Sequence, residues 1–444
     1  MMRRTIPFLG ALVLVLVLAT PASATSGTMT ITSNTTLTED QFGSIVIEAS
    51  NVTLDCAGHS VIGPGDLPAG ISIDSHSGVT ITNCDVSDFD GNGFDVTRSD
   101  SDTLSMNRSE GNDMRGYWFA ETSGLLVSGN AAIDNAWTGF EANRSSGMTW
   151  RGNAATGNQM GFFLGDASNG NTLDKNTSTS NGPAGFGLNG VSQNVLTHNV
   201  ASDNNTGFDL RGGSLQNQLS GNSATQNGAF GFYVVEASNG NTLDKNTSTG
   251  NGYGFTLDAS QNLMTGDVAR DNTGIGFWFQ SGSSQNQLKG SLSEGNDEGV
   301  AGFETSDNLF VGNISRGNTD AGFVLIESWH NQLVGNTSQR NLAEGIFLVS
   351  NADYNVVSAN VITGNGQSGV RVSGSSNNSI TNNQSTQNNK ALLDGAAGIS
   401  VVEGSSSNAI QRNVACRNGI VDAYDDHSGT ANIWKANRFC TSDI

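Results

Sequence analysis

A periodic series of fifteen glycines, each followed by an aromatic or aliphatic residue, runs along this chain from Gly70-Ile71 through Gly93-Phe94, Gly116-Tyr117 and Gly139-Phe140 to Gly398-Ile399. The mean interval is about 23 residues. A fixed period of that size restricts the fold to a solenoid, because so short a unit cannot bury its own apolar face and must stack on its neighbours. Each unit reads approximately N-x-L-x-x-N-x-S-x-x-N-x-x-x-G-F-x-L. Apolar and polar residues alternate in short runs separated by Gly, Asn and Ser, the pattern of strands joined by turns.

Asparagines hold the register. One row runs Asn107, Asn130, Asn153, Asn176, Asn199, Asn222 and Asn246, passes through Asp267 and Ser291, and resumes at Asn313. A second row lies five residues later (Asn112, Asn135, Asn158) and a third five residues earlier (Asn171, Asn194, Asn217). Asn tolerates a left-handed bend, and its amide both donates and accepts. Stacked in register, such amides can bond to the coils above and below. Three bends per coil with short strands between them describe an all-β parallel β-helix, and a coil near 23 residues favours the right-handed form. The column after each Gly is the predicted inward stack: Phe94, Tyr117, Phe140, Phe162, Phe186, Phe208, Phe232, Phe255, Phe277, Phe303 and Phe323, closed by Ile346, Val370 and Ile399. The predicted rod has 15–16 coils and is about 75 Å long at about 4.8 Å per strand. Its parts are a leader (1–24), an N-terminal cap and opening coil (25–69), the repeating coils (70–421) and a closing coil (422–444). Residues 167–182 return almost unchanged at 237–252, which indicates duplication of a three-coil block.

The leader has the form of a secretory signal peptide: Arg3 and Arg4, an apolar run from Phe8 to Leu18, then the small-residue cleavage site Ala22-Ser23-Ala24. No second long apolar segment follows, so the mature chain is expected to be secreted, with no transmembrane segment. The chain has 41 acids against 20 bases; removing the two leader arginines moves the net charge from −21 to about −23. Nucleic acid is excluded as a partner on this balance, since phosphate binding needs stripes of Lys and Arg. Oxidising surroundings allow disulfides. Cys416 and Cys440 are spaced as Asn408 and Asn413 are from Asn432 and Asn437, so they stack on adjacent coils within bonding distance. Cys56 and Cys84 form the other expected bond, one residue out of register.

The chain resembles the secreted right-handed parallel β-helix repeat proteins of the pectate-lyase-like superfold. The resemblance rests on Val52-Thr53-Leu54-Asp55-Cys56-Ala57-Gly58-His59 leading to Val79-Thr80-Ile81-Thr82-Asn83-Cys84, and on Asn432, Trp434, Asn437 and Phe439 at the other end. It implies the fold far more strongly than the activity, since such proteins include lyases, hydrolases, epimerases, adhesins and accessory factors. Periplasmic accessory β-helix proteins of copper-site maturation share the repeat, but no Met/His cluster in the sequence supports that role.

Function is expected on the outward position between the two inward residues of each coil. That column reads Asp95, Trp118, Glu141, Phe163, Gly187, Asp209, Tyr233, Thr256, Trp278, Glu304, Val324, Phe347, Arg371 and Ser400. Large exposed apolar groups mark contact surfaces. Aromatic faces stack on sugar rings while carboxylates accept from hydroxyls, so Asp95, Trp118, Glu141, Phe163, Tyr233, Trp278 and Glu304 are candidate ligands of an extended polysaccharide. Two alternatives stand beside this. One is a carbohydrate-active enzyme (lyase, hydrolase or epimerase) using Asp209, Arg211 and Asp258; the other is an adhesive scaffold whose stripe docks protein. Calcium is the cofactor left open, with oxygen ligands at Asp422, Asp425 and Asp426 set against a plain acidic turn.

Overall fold

The computed structural model describes residues 25–444 apart from residue 66; the signal-peptide reading of residues 1–24 lies outside the described residues. Each coil carries three short strands, as in Ala154–Thr156, Met160–Gly165 and Thr172–Asp174, and these generate three sheets, here A, B and C in that order. Every pairing between coils is parallel, and sheets A and B each run through 19 strands. The rod therefore has about 18 coils, more than the 15–16 expected. The additional coils lie at the N-terminus, where Met29 pairs with Ile45 and Ile45 with Ile71. They carry the fold without the Gly-aromatic mark, so counting that mark misses them.

Identical residues stack because the register is parallel. Phe94, Tyr117, Phe140, Phe162, Phe186, Phe208, Phe232, Phe255 and Phe277 form a continuous column, with neighbouring centroids 4.5–4.9 Å apart and rings nearly parallel. The strand spacing of about 4.8 Å sets this parallel stacking, within the centroid range that stacked aromatic pairs prefer. Trp150 joins the core from sheet C, stacked between Val127 and Leu173.

The column departs from expectation at one coil. Phe277 pairs with Val300, and Val300 with Phe323. Val300 is buried, whereas Phe303 is 39% exposed. The bend glycine of this coil is thus Gly299 and not Gly302. A second glycine-apolar pair three residues later imitates the signal, and only tertiary packing tells the two apart.

The asparagine rows hold the bends as expected. Asn199 Oδ1 accepts from both the backbone N–H and the amide of Asn176 in the coil below, while its own amide donates to Asn222 above and to the Leu173 carbonyl below. Each buried amide therefore ties three coils. The glycine column has a steric cause: a Cβ on Gly207 would lie 2.6 Å from the Gly231 carbonyl oxygen and 2.8 Å from Ala224 Cβ. Both disulfides are present, Cys56–Cys84 with Cα atoms 4.8 Å apart and Cys416–Cys440 with 5.1 Å.

Candidate functional site

The outward column of sheet B sits beside a second one. At each bend glycine the chain kinks, so the residue before the glycine lies on the same side as the residue two positions after it. Arg115, Met160, Phe230, Tyr253, Ile275, Glu298 and Glu344 occupy that preceding place. Sequence reading does not single them out. Their signal was available in the same repeat, one position before the mark used to define it.

The two columns interlock. The Arg115 guanidinium lies between two indoles, 4.2 Å from the centre of the Trp118 ring and 4.8 Å from that of Trp137, and bonds Glu141 at 2.6 Å. Tyr233 stacks on Phe230 at 4.3 Å, and Trp278 leans on Tyr253 at 5.0 Å. Phe163 and Met160 close over Gly187, where a Cβ would come within 2.8 Å of the Met160 methyl group. Further along, Ala301, Ala321 and Val324 form a small external core against Ile275, Trp278 and Phe347. The stripe is consequently a half-buried aromatic ledge and not a row of free-standing rings.

Several of the expected carboxylates are already engaged. Glu141 and Asp209 are each only 6% exposed. Asp95 accepts from Asn92 and Thr97, both at 3.0 Å. Both Asp209 oxygens accept from Arg211, one at 3.1 Å. Burial raises the Asp209 pKa above the usual carboxylate range, and the Arg211 hydrogen bonds oppose the rise. Asp209, Arg211 and Tyr233 therefore do come together on adjacent strands. Asp258 stands exposed two rungs up and two residues along. The strand geometry puts its Cα roughly 12 Å from that of Asp209. Glu304 leaves the column altogether: Ala301 takes its place opposite Trp278 and Val324. It stands instead in the bend between sheets B and C, accepting from Ser281 at 2.6 Å.

A carboxyl pair that sequence reading missed lies on the ledge. Glu298 and Glu344 occupy the preceding column two coils apart, flanking Ala321. Burial, with Asp320 and Asp297 nearby, pushes Glu298 up to about 7. Burial likewise raises Glu344, and Arg371 works against it.

Metal donors are dispersed. Among the described residues, the one group of three that converges is Cys416, Asp422 and Cys440, and its two sulfurs are bonded to each other. Asp422 takes the place of an asparagine, accepting from Asn418 and Thr441, while Asp425 accepts from Trp434 and Asp426 from Glu403 and Ser428. The tail acids, for which a plain acidic turn stood against calcium, are engaged in closing the last coil. His59, His198, His330 and His427 each lie beside a different carboxylate.

The family profile described as periplasmic copper-binding protein (NosD) matches residues 114–252 and 245–396, together more than half of the chain, and a right-handed β-helix profile matches residues 22–178. No curated protein matches the sequence. Similar solved structures include the periplasmic alginate epimerase AlgG, at 14% identity and TM-score 0.45 over 62% of this chain and 77% of that one. The A-module of the Azotobacter vinelandii mannuronan C-5 epimerase AlgE6 aligns at 13% and 0.31 over 88% and 91%. The catalytic unit of the Streptomyces thermodiastaticus GH87 α-1,3-glucanase aligns at 12% and 0.29 over 94% and 62%. Likenesses this distant concern the coil architecture alone. On the repeat, the stacked coils and the length of the profile match, the chain belongs to the NosD family of right-handed parallel β-helix repeat proteins.

Proposed function

We propose that this protein recognises an extended polysaccharide along the outer face of sheet B and releases it unchanged. The observation that carries the reading is the ledge itself. From Trp118 to Phe347 it spans ten rungs, about 48 Å, with half-buried aromatics set in place by their neighbours and hydrogen-bonding carboxylates between them. Rings fixed in this way lose little freedom on stacking against a sugar, which lowers the cost of binding. The expected catalytic set is poorly suited to bond breaking. Asp209 is tied at both oxygens to Arg211 and is almost fully buried. Copper is named in the description of the matched family; among the described residues, the one convergent group of His, Cys and carboxylate donors is Asp422 with the Cys416–Cys440 disulfide, whose sulfurs are already bonded to each other.

The test is a panel of polysaccharides, with and without calcium, read by binding isotherm and by reducing-end assay. The expected result is saturable binding without new reducing ends, weakened at least tenfold in the Trp118→Ala/Trp278→Ala double variant. Undiminished binding in that variant overturns the reading. A hydrolase is the second reading, favoured by one observation: Glu298 holds its proton near neutrality and lies two rungs, about 10 Å, from Glu344. Reducing ends that appear with the native chain and vanish in Glu298→Gln establish it instead.

A further inference from the structure

In the bend between sheets B and C, the position in left-handed conformation carries only glycine or glutamine from Gly124 to Gln285, and in the next three coils it does not. One position of this bend stacks Ser284, Ser306 and Trp329 in direct parallel register. The next position carries Gln261 and Gln285 in lower coils and then Asp307, His330 and Tyr354, all in the same left-handed conformation. The conformation is kept while the side chains change, so the backbone does not require the change. Trp329 is 44% and Tyr354 54% exposed, and they border an open concavity of about 790 Å³ that Ser284 and Ser306 also line. Glu304 and Glu327 line it, together with Asp353. His330 leans on the Tyr354 ring at 5.6 Å.

We propose that this concavity is a second carbohydrate site, distinct from the ledge on sheet B, that binds sugars bearing a free protonated amine. Its size suits a small ligand. The aromatic faces supply stacking area for a pyranose ring and attract a cation over their π-surface. Glu304 and Glu327 supply the countercharge, and the lining contains no Lys or Arg to compete for them. An N-acetylated sugar offers the same ring without the charge, and a uronate offers the opposite charge to a lining that is already anionic. Charge complementarity thus selects the amino sugar.

The experiment is calorimetric titration of the disulfide-bonded chain with tetra-glucosamine, tetra-N-acetylglucosamine and tetra-galacturonate at pH 6. Tetra-glucosamine is expected to bind at least tenfold more tightly than either of the others. Trp329→Ala/Tyr354→Ala is expected to abolish that binding, and Glu304→Gln/Glu327→Gln to weaken it at least tenfold. All four side chains are at least partly exposed at a bend, and an unchanged melting curve verifies that the variants fold. Equal affinity for the N-acetylated sugar overturns the proposal, as does binding that survives Trp329→Ala/Tyr354→Ala. Loss of amino-sugar binding in Trp118→Ala/Trp278→Ala, with the bend variants unaffected, also overturns it and assigns the ligand to the ledge; retention there with loss in the bend variants upholds this site whatever the fate of the ledge.

Discussion

Asp267 shows how much one atom matters inside a ladder of amides. It occupies a place in the first asparagine row and accepts from the Asn246 backbone and side chain, as an asparagine would. Its second oxygen is buried without a hydrogen-bond partner. At this place an asparagine donates its amide to a neighbouring carbonyl, and a carboxylate has no proton to give. Burial pushes the Asp267 carboxyl up to about 7, against the Asn246 hydrogen bonds that favour its charge. The folded chain therefore holds a proton that the unfolded chain releases near pH 4. Stability from this group is fully present below about pH 4, falls as pH rises to about 7, and is constant above that. Asp267→Asn restores the donor and removes the decline. Its unfolding free energy is expected to exceed that of the native chain by about 2–4 kcal/mol at pH 8 and to match it much more closely at pH 4. Urea titrations at the two pH values check this, and a gain that is equal at both refutes the assignment. The converse change, Asn199→Ala, leaves the buried Asn176 N–H and Leu173 carbonyl of the coil below unpaired and is expected to cost about 2–4 kcal/mol by the same measurement.

At the scale of the strand, the glycine and the aromatic that follows it do separate jobs. Gly207 lets the next coil approach, and Phe208 fills the space so enclosed. Phe208→Ala removes a fully buried ring from the middle of a stack and is expected to destabilise by about 3–5 kcal/mol. Gly207→Ala adds one methyl group against the Gly231 carbonyl and is expected to cost about 1–3 kcal/mol. Thermal melts of the two variants check both values; a neutral Gly207→Ala would mean that the coils separate more easily than their register implies. The inward column was legible in the sequence because period-two alternation assigns a face to every residue. It failed at Phe303 because the period is a property of the fold, and a local Gly-Phe pair carries no record of which coil it closes. The column before the glycine was not singled out for a related reason: the kink that turns Phe230 and Tyr253 toward Tyr233 and Trp278 is a backbone event that residue type alone does not specify.

The whole molecule is a one-dimensional stack, so stability is shared between neighbouring coils and the ends are the weak points. Both disulfides lie toward the ends. Removing the C-terminal one, in Cys416→Ser/Cys440→Ser, is expected to lower hydrogen-exchange protection in the strands around Ile433–Lys435 and Arg438–Phe439 while leaving mid-rod strands such as Thr206–Arg211 unchanged. Uniform loss of protection would show instead that the rod unfolds as one unit. The net charge of about −23 on residues 25–444 acts over the same length. Self-repulsion is expected to make the rod more stable as ionic strength rises from about 0.01 to about 0.5 M, a shift read directly from the melting temperature.

The sequence by itself determined the coil, its three bends, the parallel register and the two disulfides, because in a stack with a short period a position in the string is already a position in space along the rod. What it did not determine is how side chains lean across that direction. Whether an outward ring stands free or rests on its neighbour, whether Glu304 belongs to a sheet or to a bend, and whether Trp329 and Tyr354 border one hollow all depend on kinks and coil lengths that vary from one turn to the next. The tertiary structure decided these, since lateral contact is set by backbone direction and by van der Waals fit, neither of which a repeat encodes.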